Sequence, residues 1–237
     1  FILLTWFHWG QGELYPLRDI VGAEYLRSPS QQALAVLVRG GAPMLVPLVA
    51  FPEQYQFVAG SLIGLFDPAA AAGLDPVFAT GPRLAVAALY GSTVVAAVAL
   101  GYSRTDAFEP WAVDAGEMVL LTAFFLVVPP ILAIGVYFCF WHSLRHVVRT
   151  VLLHDDSAAH IDSRELGPAA LQFARDAAPM TAGALLLLGG LYLLVPRTPA
   201  GTSELIGLYL VLIAVLTLPH VLIVVWLDSE QSVIAGL

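Results

Sequence analysis

Residues 204–227, ELIGLYLVLIAVLTLPHVLIVVWL, run for 24 positions with one formal charge, Glu204 at the start. As a helix rising 1.5 Å per residue this stretch reaches about 36 Å, more than the ~30 Å hydrocarbon layer of a bilayer. It therefore predicts a membrane-spanning helix. Further apolar stretches fall at about 1–10, 33–51, 55–66, 84–102, 116–144 and 180–196, and the first is too short to cross alone. Isolated strands cannot satisfy their backbone in lipid, and no ten-residue alternation of a barrel is visible. The expectation is an all-α, polytopic membrane helical bundle with six full spans plus one truncated span. It forms a single transmembrane helical domain over residues 1–237.

Composition agrees. Of 237 residues, 59% are apolar and 12% charged, against roughly 45–50% and 25% in soluble domains, and mean hydropathy is +0.82. A net charge of −8 excludes a basic, nucleic-acid-binding surface. All ten bases are arginine, which excludes lysine Schiff-base chemistry with retinal or pyridoxal phosphate. Cys139, the single cysteine, allows no internal disulfide and reads as a small buried apolar residue. Any metal must rest on the six histidines and on carboxylates. The chain opens at Phe1 inside an apolar run, so the expectation is that N-terminal helix residues are missing; no secretory signal pattern is visible.

Cytoplasmic loops carry the excess of arginine. Arg18 and Arg27 precede the second stretch, and Arg145, Arg149, Arg164 and Arg175 follow or close the fifth; both regions are expected on the cytoplasmic side. Strict alternation then puts residues 103–117 outside and Arg83 inside. Pro43, Pro47, Pro129, Pro130 and Pro219 interrupt apolar runs and are expected to kink them.

With that topology four of six histidines share one side. His8 ends the first stretch, His142 and His146 close the fifth, and His220 lies about seven residues, roughly 10 Å, from the end of the last. In WHSLRH the two imidazoles are four residues apart, on one helix face, the spacing of a chelating pair. Imidazole suits zinc, copper, nickel or iron, and a histidine inside a span, as His220 is, defaults to a functional reading. A helix cap, a headgroup contact or an interfacial aromatic belt explains each ring singly. Convergence of the four is what favours a metal. His154 and His160 read as solvated loop residues, with a surface metal site involving Asp155 or Asp156 as the alternative. Glu13 and Asp228 read as acids that solvate helix ends, orientation of a ligand imidazole being the other reading. Glu117 is expected too far from the histidines to matter. Trp6, Trp9, Phe138, Phe140 and Trp141 suit either an interfacial belt or the lining of an apolar pocket.

The segments FHWG around His8, YFCFWHSLRH over 137–146 and LPHVLIVVWLD over 218–228 together resemble the Brp and Blh family of membrane β-carotene 15,15'-dioxygenases. The resemblance implies a multi-helical membrane enzyme that uses histidine-bound Fe(II) and O₂ to cleave the central double bond of β-carotene into two retinal molecules. By that likeness His8, His142 and His146 are iron ligands and His220 a further one. The family has another histidine in an earlier helix that no residue of this sequence matches. The implied partners are a lipophilic carotenoid, membrane lipid and an opsin receiving retinal, and the metal site faces the cytoplasmic side of the cell membrane. An open Fe(II) position suits activation of O₂ beside a polyene, and apolar surroundings exclude water.

Three other readings compete. A membrane di-iron hydroxylase or desaturase needs about eight histidines in paired boxes. A transporter relaying protons or metal would need intramembrane acids or repeated halves, neither evident in the sequence. A non-catalytic carotenoid-binding or opsin-assembly protein is the third. Under the enzyme reading His154→Ala should do little, whereas His142→Ala should abolish iron binding.

Overall fold

The computed structural model describes residues 2–64, 66–152, 166–194 and 201–231. Among them regular structure is helical: α1 (Ile2–Gln11), α2 (Pro29–Ala50), α3 (Pro52–Gly64), α4 (Pro68–Ala72), α5 (Asp75–Phe78), α6 (Thr80–Arg104), α7 (Phe108–Val127), α8 (Pro130–Tyr137), α9 (Ser143–Leu152), α10 (Leu166–Leu194) and α11 (Thr202–Glu230). A π-helical turn, Phe138–His142, joins α8 to α9. Among the described residues six stretches are long and apolar enough to cross a membrane: Pro29–Ala50, Thr80–Arg104, Phe108–Val127, Pro130–Thr150, Ala170–Leu194 and Thr202–Glu230. Six is the expected number, but two of the expected spans are drawn differently.

The stretch 55–66 does not cross. Helix α3 has 13 residues, about 20 Å of rise, and Ser61 Oγ lies 2.8 Å from Ser203 Oγ at the start of α11. It begins at the C-terminal end of α2 and stays at that end of the bundle. The stretch 116–144, by contrast, is two antiparallel spans. Pro130 disfavours the α conformation at the residue before it, and Val128 and Pro129 are both extended, with ψ of 129° and 141°. The helix stops at Val127 and restarts with Pro130 in its first turn, where the missing donor costs nothing. Pro43, Pro47 and Pro219 lie within continuous helices.

These two differences reverse the expected sides of the middle of the chain and then cancel. Arg83 donates to Val49 O at 2.6 Å, at the far end of α2 from Arg18 and Arg27. Arg104 donates to Ser30 Oγ at 2.7 Å, at the near end. Arg83 and the turn after Arg104 thus exchange the places that alternation assigns them. Because α7 and α8 turn back between them, His142 and His146 regain the expected end.

Helices α1 and α2 touch backbone to backbone. A Cβ at Gly40 would meet Trp6 O at 2.0 Å, and one at Gly10 would meet Val36 O at 2.3 Å, the close approach that small residues permit between membrane helices. Trp6 Nε1 donates to Leu37 O across the same seam at 3.0 Å. The main apolar cluster joins Trp9, Ala42, Val46, Tyr90, Phe125 and Tyr137 from five helices. Between helices in lipid such contacts act by close packing rather than by escape from water.

Candidate metal centre

Along α8 and the π turn the buried positions are Pro130, Ala133, Tyr137 and His142, steps of three, four and five. The five-residue step is the π turn. In an unbroken α-helix Trp141 would come after Tyr137 on the inner face; the extra residue rotates the downstream helix by about 100° and brings His142 inward instead. His146 comes one α turn later, and the pair meets His8 from α1.

His8 and His142 are buried, and their Nε2 atoms lie 3.2 Å apart. His8, His142 and His146 each present a ring nitrogen, all within 4.8 Å of one another, a set that can hold a metal ion. His220 stands beside it: its ring centroid is 4.6 Å from that of His8 and 5.6 Å from that of His146. Unlike the other three, His220 is exposed. His8 Nδ1 and His146 Nε2 are buried without a hydrogen-bond partner. Unsatisfied buried nitrogens are costly. A single ion would satisfy rings so placed: with metal–nitrogen bonds of about 2.1 Å, two donors on one ion are at most ~4.2 Å apart. Movements of a few tenths of an ångström close the set.

Gly12 forms the floor beneath these rings, and sequence reading passed it over. A Cβ there would lie 3.0 Å from His146 Nε2 and 3.3 Å from His142 Cε1. Its backbone continues the α1 hydrogen bonding, Gly12 N to His8 O at 3.0 Å, so the position demands space rather than an unusual conformation. Gly12→Ala should make both imidazoles give by a few tenths of an ångström and lower turnover by about tenfold, less than the hundredfold of a full ångström misplacement at a reacting centre. Steady-state assays at equal amounts of membrane-inserted protein test this.

Buried charge surrounds the rings. Arg39, wholly buried in the middle of α2, pairs with Glu13 at 3.1 Å, Asp114 at 2.5 Å and Glu117 at 2.9 Å. Arg145, between the two histidines of α8–α9, pairs with Glu13 at 3.1 Å and Glu117 at 2.6 Å, and its guanidinium lies 4.3 Å from the Trp141 ring centre. Trp141 Nε1 donates to Glu13 at 3.2 Å. Burial pushes the Glu13 carboxyl above the usual range, while Arg145 and Arg39 pull it down. Tyr25 donates to Asp114 at 2.5 Å, and burial together with that carboxylate holds its phenol above the usual range.

Several expectations are corrected here. Glu117 is not remote: the break at Pro129–Pro130 folds α7 beside α9 and sets Glu117 against Arg145. Glu13 and Asp228 neither solvate helix ends nor touch an imidazole; both are wholly buried and bound to arginine. Asp114 and Glu117 are acids inside a span, neutralised by Arg39 and Arg145. Cys139 is exposed rather than buried. It lines, with Phe57, Leu132, Val136 and Phe140, an apolar groove of about 790 Å³ between α3 and α8. The aromatics divide: Trp9 packs against Tyr137 and Phe138, Trp6 seals the α1–α2 seam, Trp141 joins the charge network and Phe140 faces the groove. His154, His160, Asp155 and Asp156 lie outside the described residues. Arg39 was readable as a functional residue: a lone charge in the apolar run 33–51 is the signal.

The β-carotene 15,15'-dioxygenase family model matches residues 1–228. A relative from Halobacterium salinarum strain NRC-1 named probable beta-carotene 15,15'-dioxygenase Blh is 47% identical over 237 residues, covering 99% of this chain and 67% of its own length. The probable beta-carotene 15,15'-dioxygenases Brp of strains R1 and NRC-1 are each 32% identical over 236 residues, covering 94% of the chain and 66% of theirs. The chain thus spans about two thirds of the length of these curated relatives. No solved structure matches. With a family-model match that spans residues 1–228 and a relative 47% identical over nearly the whole chain, the chain belongs to the β-carotene 15,15'-dioxygenase family.

Proposed function

We propose that the protein cleaves the central 15,15' double bond of β-carotene with O₂, releasing two molecules of retinal, at an Fe(II) held by His8, His142 and His146 with His220 as a further ligand. The observation that carries this reading is the convergence of three ring nitrogens within 4.8 Å, His8 from one helix and His142 and His146 from another span. The donor set fits the ion: the Nε2 atoms of His8 and His142 face each other at 3.2 Å, His146 Nε2 is buried and unpartnered, and a purely imidazole set suits iron. When bound, Fe(II) supplies the means of activating O₂ toward a closed-shell polyene.

The chain's own residues bind, orient and exclude. Gly12 leaves room for the His142 and His146 rings. Trp9, Tyr137 and Phe138 form an apolar wall against His142, which keeps water from the cleavage site. The exposed His220 marks the side on which a lipid-dissolved carotenoid reaches the rings laterally. Arg18, Arg27, Arg104, Arg145 and Arg149 lie toward one end of the bundle and Arg83 at the other, a distribution of arginine that supports a site on the cytoplasmic side. An opsin lacking its chromophore is the fitting recipient of the retinal. The transporter reading loses ground because the intramembrane acids are held by arginines and are not free to relay protons.

Retinal formation from β-carotene by the full-length protein in membranes, with Fe(II) and after chelation, tests the proposal, with products identified by chromatography. Iron-dependent retinal is expected. A folded, iron-loaded protein that leaves β-carotene intact overturns the substrate, and a folded protein that binds no iron overturns the centre.

A further inference from the structure

Each of the imidazole-bearing helices carries, one to two turns beyond its histidine, a buried polar residue that reaches another of these helices. From α1, Gln11 donates to Asp228 of α11, and Glu13 just past it accepts from Arg145 of α9 at 3.1 Å. Arg149 of α9 donates to the second oxygen of Asp228 at 2.6 Å. Together these contacts close a triangle: α1 to α9, α9 to α11, α11 to α1. Glu13 and Asp228 are fully buried, Gln11 is 1% exposed and Arg149 5%. Three of the spacings are equal: His8 to Gln11, His142 to Arg145 and His146 to Arg149 are three residues each, whereas His220 to Asp228 is eight.

Cohesion alone does not call for this arrangement. Burying ion pairs costs desolvation that well-packed apolar side chains avoid, and replacing a whole buried pair by such residues is often neutral or stabilising. What a charged pair adds is register, because a one-residue slip or a rotation of any one helix leaves a charge buried without its partner. We infer that the triangle of Gln11, Glu13, Arg145, Arg149 and Asp228 is a positioning device that fixes the axial and rotational register of the imidazole-bearing helices and so sets the separation of the metal-binding nitrogens. The inference rests on the metal reading proposed above. None of the five residues belongs to the donor set itself; Gln11, Arg145, Arg149 and Asp228 act through a histidine on their own helix, and Glu13 through the end of α1 that it follows.

The test is Co(II) binding to full-length protein in detergent, monitored by its visible absorption, beside the melting temperature of the metal-free protein. The variants are Asp228→Asn, Glu13→Gln and the apolar pair Asp228→Leu with Arg149→Met. Each single variant should bind Co(II) about tenfold more weakly, the lower end of what losing a group bonded directly to a ligand costs, because these residues act through the helices and touch no ring, and its spectrum should be altered. The apolar pair removes both charges and strands only neutral amides such as that of Gln11, so it should melt above Asp228→Asn, which leaves Arg149 without its carboxylate, and still bind weakly. Wild-type affinity and spectrum in the apolar pair overturn the inference and leave the triangle a role in stability alone. Single variants that bind Co(II) within twofold of wild type overturn it as well. Should a single variant fail to fold, the apolar pair decides. A folded wild-type protein that binds no Co(II) overturns the metal reading, and the positioning role with it.

Discussion

His142→Ala is expected to abolish metal binding and retinal formation while leaving membrane insertion intact. His142 is the hinge of the donor set. Its Nε2 is 3.2 Å from that of His8, its ring centroid is 4.6 Å from that of His146, and the π turn before it spends a residue on turning it inward. Losing an outer partner of a metal ligand already costs 10–100-fold in affinity, so losing the ligand should cost at least about a hundredfold. His8→Ala and His146→Ala should behave alike, and His220→Ala should be milder, because His220 stands at the exposed edge of the cluster. Metal content by mass spectrometry and retinal by chromatography on the same purified samples check the order. A His220→Ala loss equal to that of His142→Ala would place His220 among the main ligands.

Arg39→Met is expected to prevent accumulation of folded protein. Arg39 is wholly buried and holds carboxylates from two elements, Glu13 after α1 and both Asp114 and Glu117 on α7. Its removal leaves Arg145 alone to balance three acids. Breaking a buried pair by deleting one partner costs about 3–5 kcal/mol, a large share of the ~5–15 kcal/mol that typically separates folded from unfolded protein. The asymmetry provides the check. Arg39→Met combined with Asp114→Asn and Glu13→Gln removes the stranded charges and should recover much of the folded yield, measured by size-exclusion profile and melting temperature in detergent. If the single variant accumulates and melts as wild type does, the charges around Arg39 are solvated and the picture of a dry network fails.

Much of this molecule is legible in one dimension. The run 204–227 and its counterparts specify a helical membrane bundle, because apolar length against bilayer thickness is a property of composition alone. The HxxxH spacing of His142 and His146 puts two rings on one face by helix geometry, and arginine counts order the ends. His8, in FHWG, was reachable only by adding the topology to the motif. The double proline at 129–130 was visible but admits two outcomes, a kink or a reversal, and local sequence does not choose between them. In Pro43, Pro47 and Pro219 the same residue type leaves a helix continuous. The reversal at Val128–Pro129 depends on where α7 and α8 find partners.

Hydropathy and spacing by themselves determined the class of the fold and, with the topology, the candidate imidazoles; the expected number of crossings agrees only because a short stretch counted as a span, 55–66, offsets a double span counted as one, 116–144. The tertiary structure alone decided that α3 stays at one end, that α7 folds back to bring Glu117 to Arg145, that the π turn aims His142 inward, and that Gly12 rather than a larger residue lies beneath the rings. Each of these joins residues distant in the chain. A side chain's cost or benefit at such a place is set by what packs against it: the same carboxylate that would dissolve a helix end in water becomes, once buried against arginine, a constraint on how three helices meet.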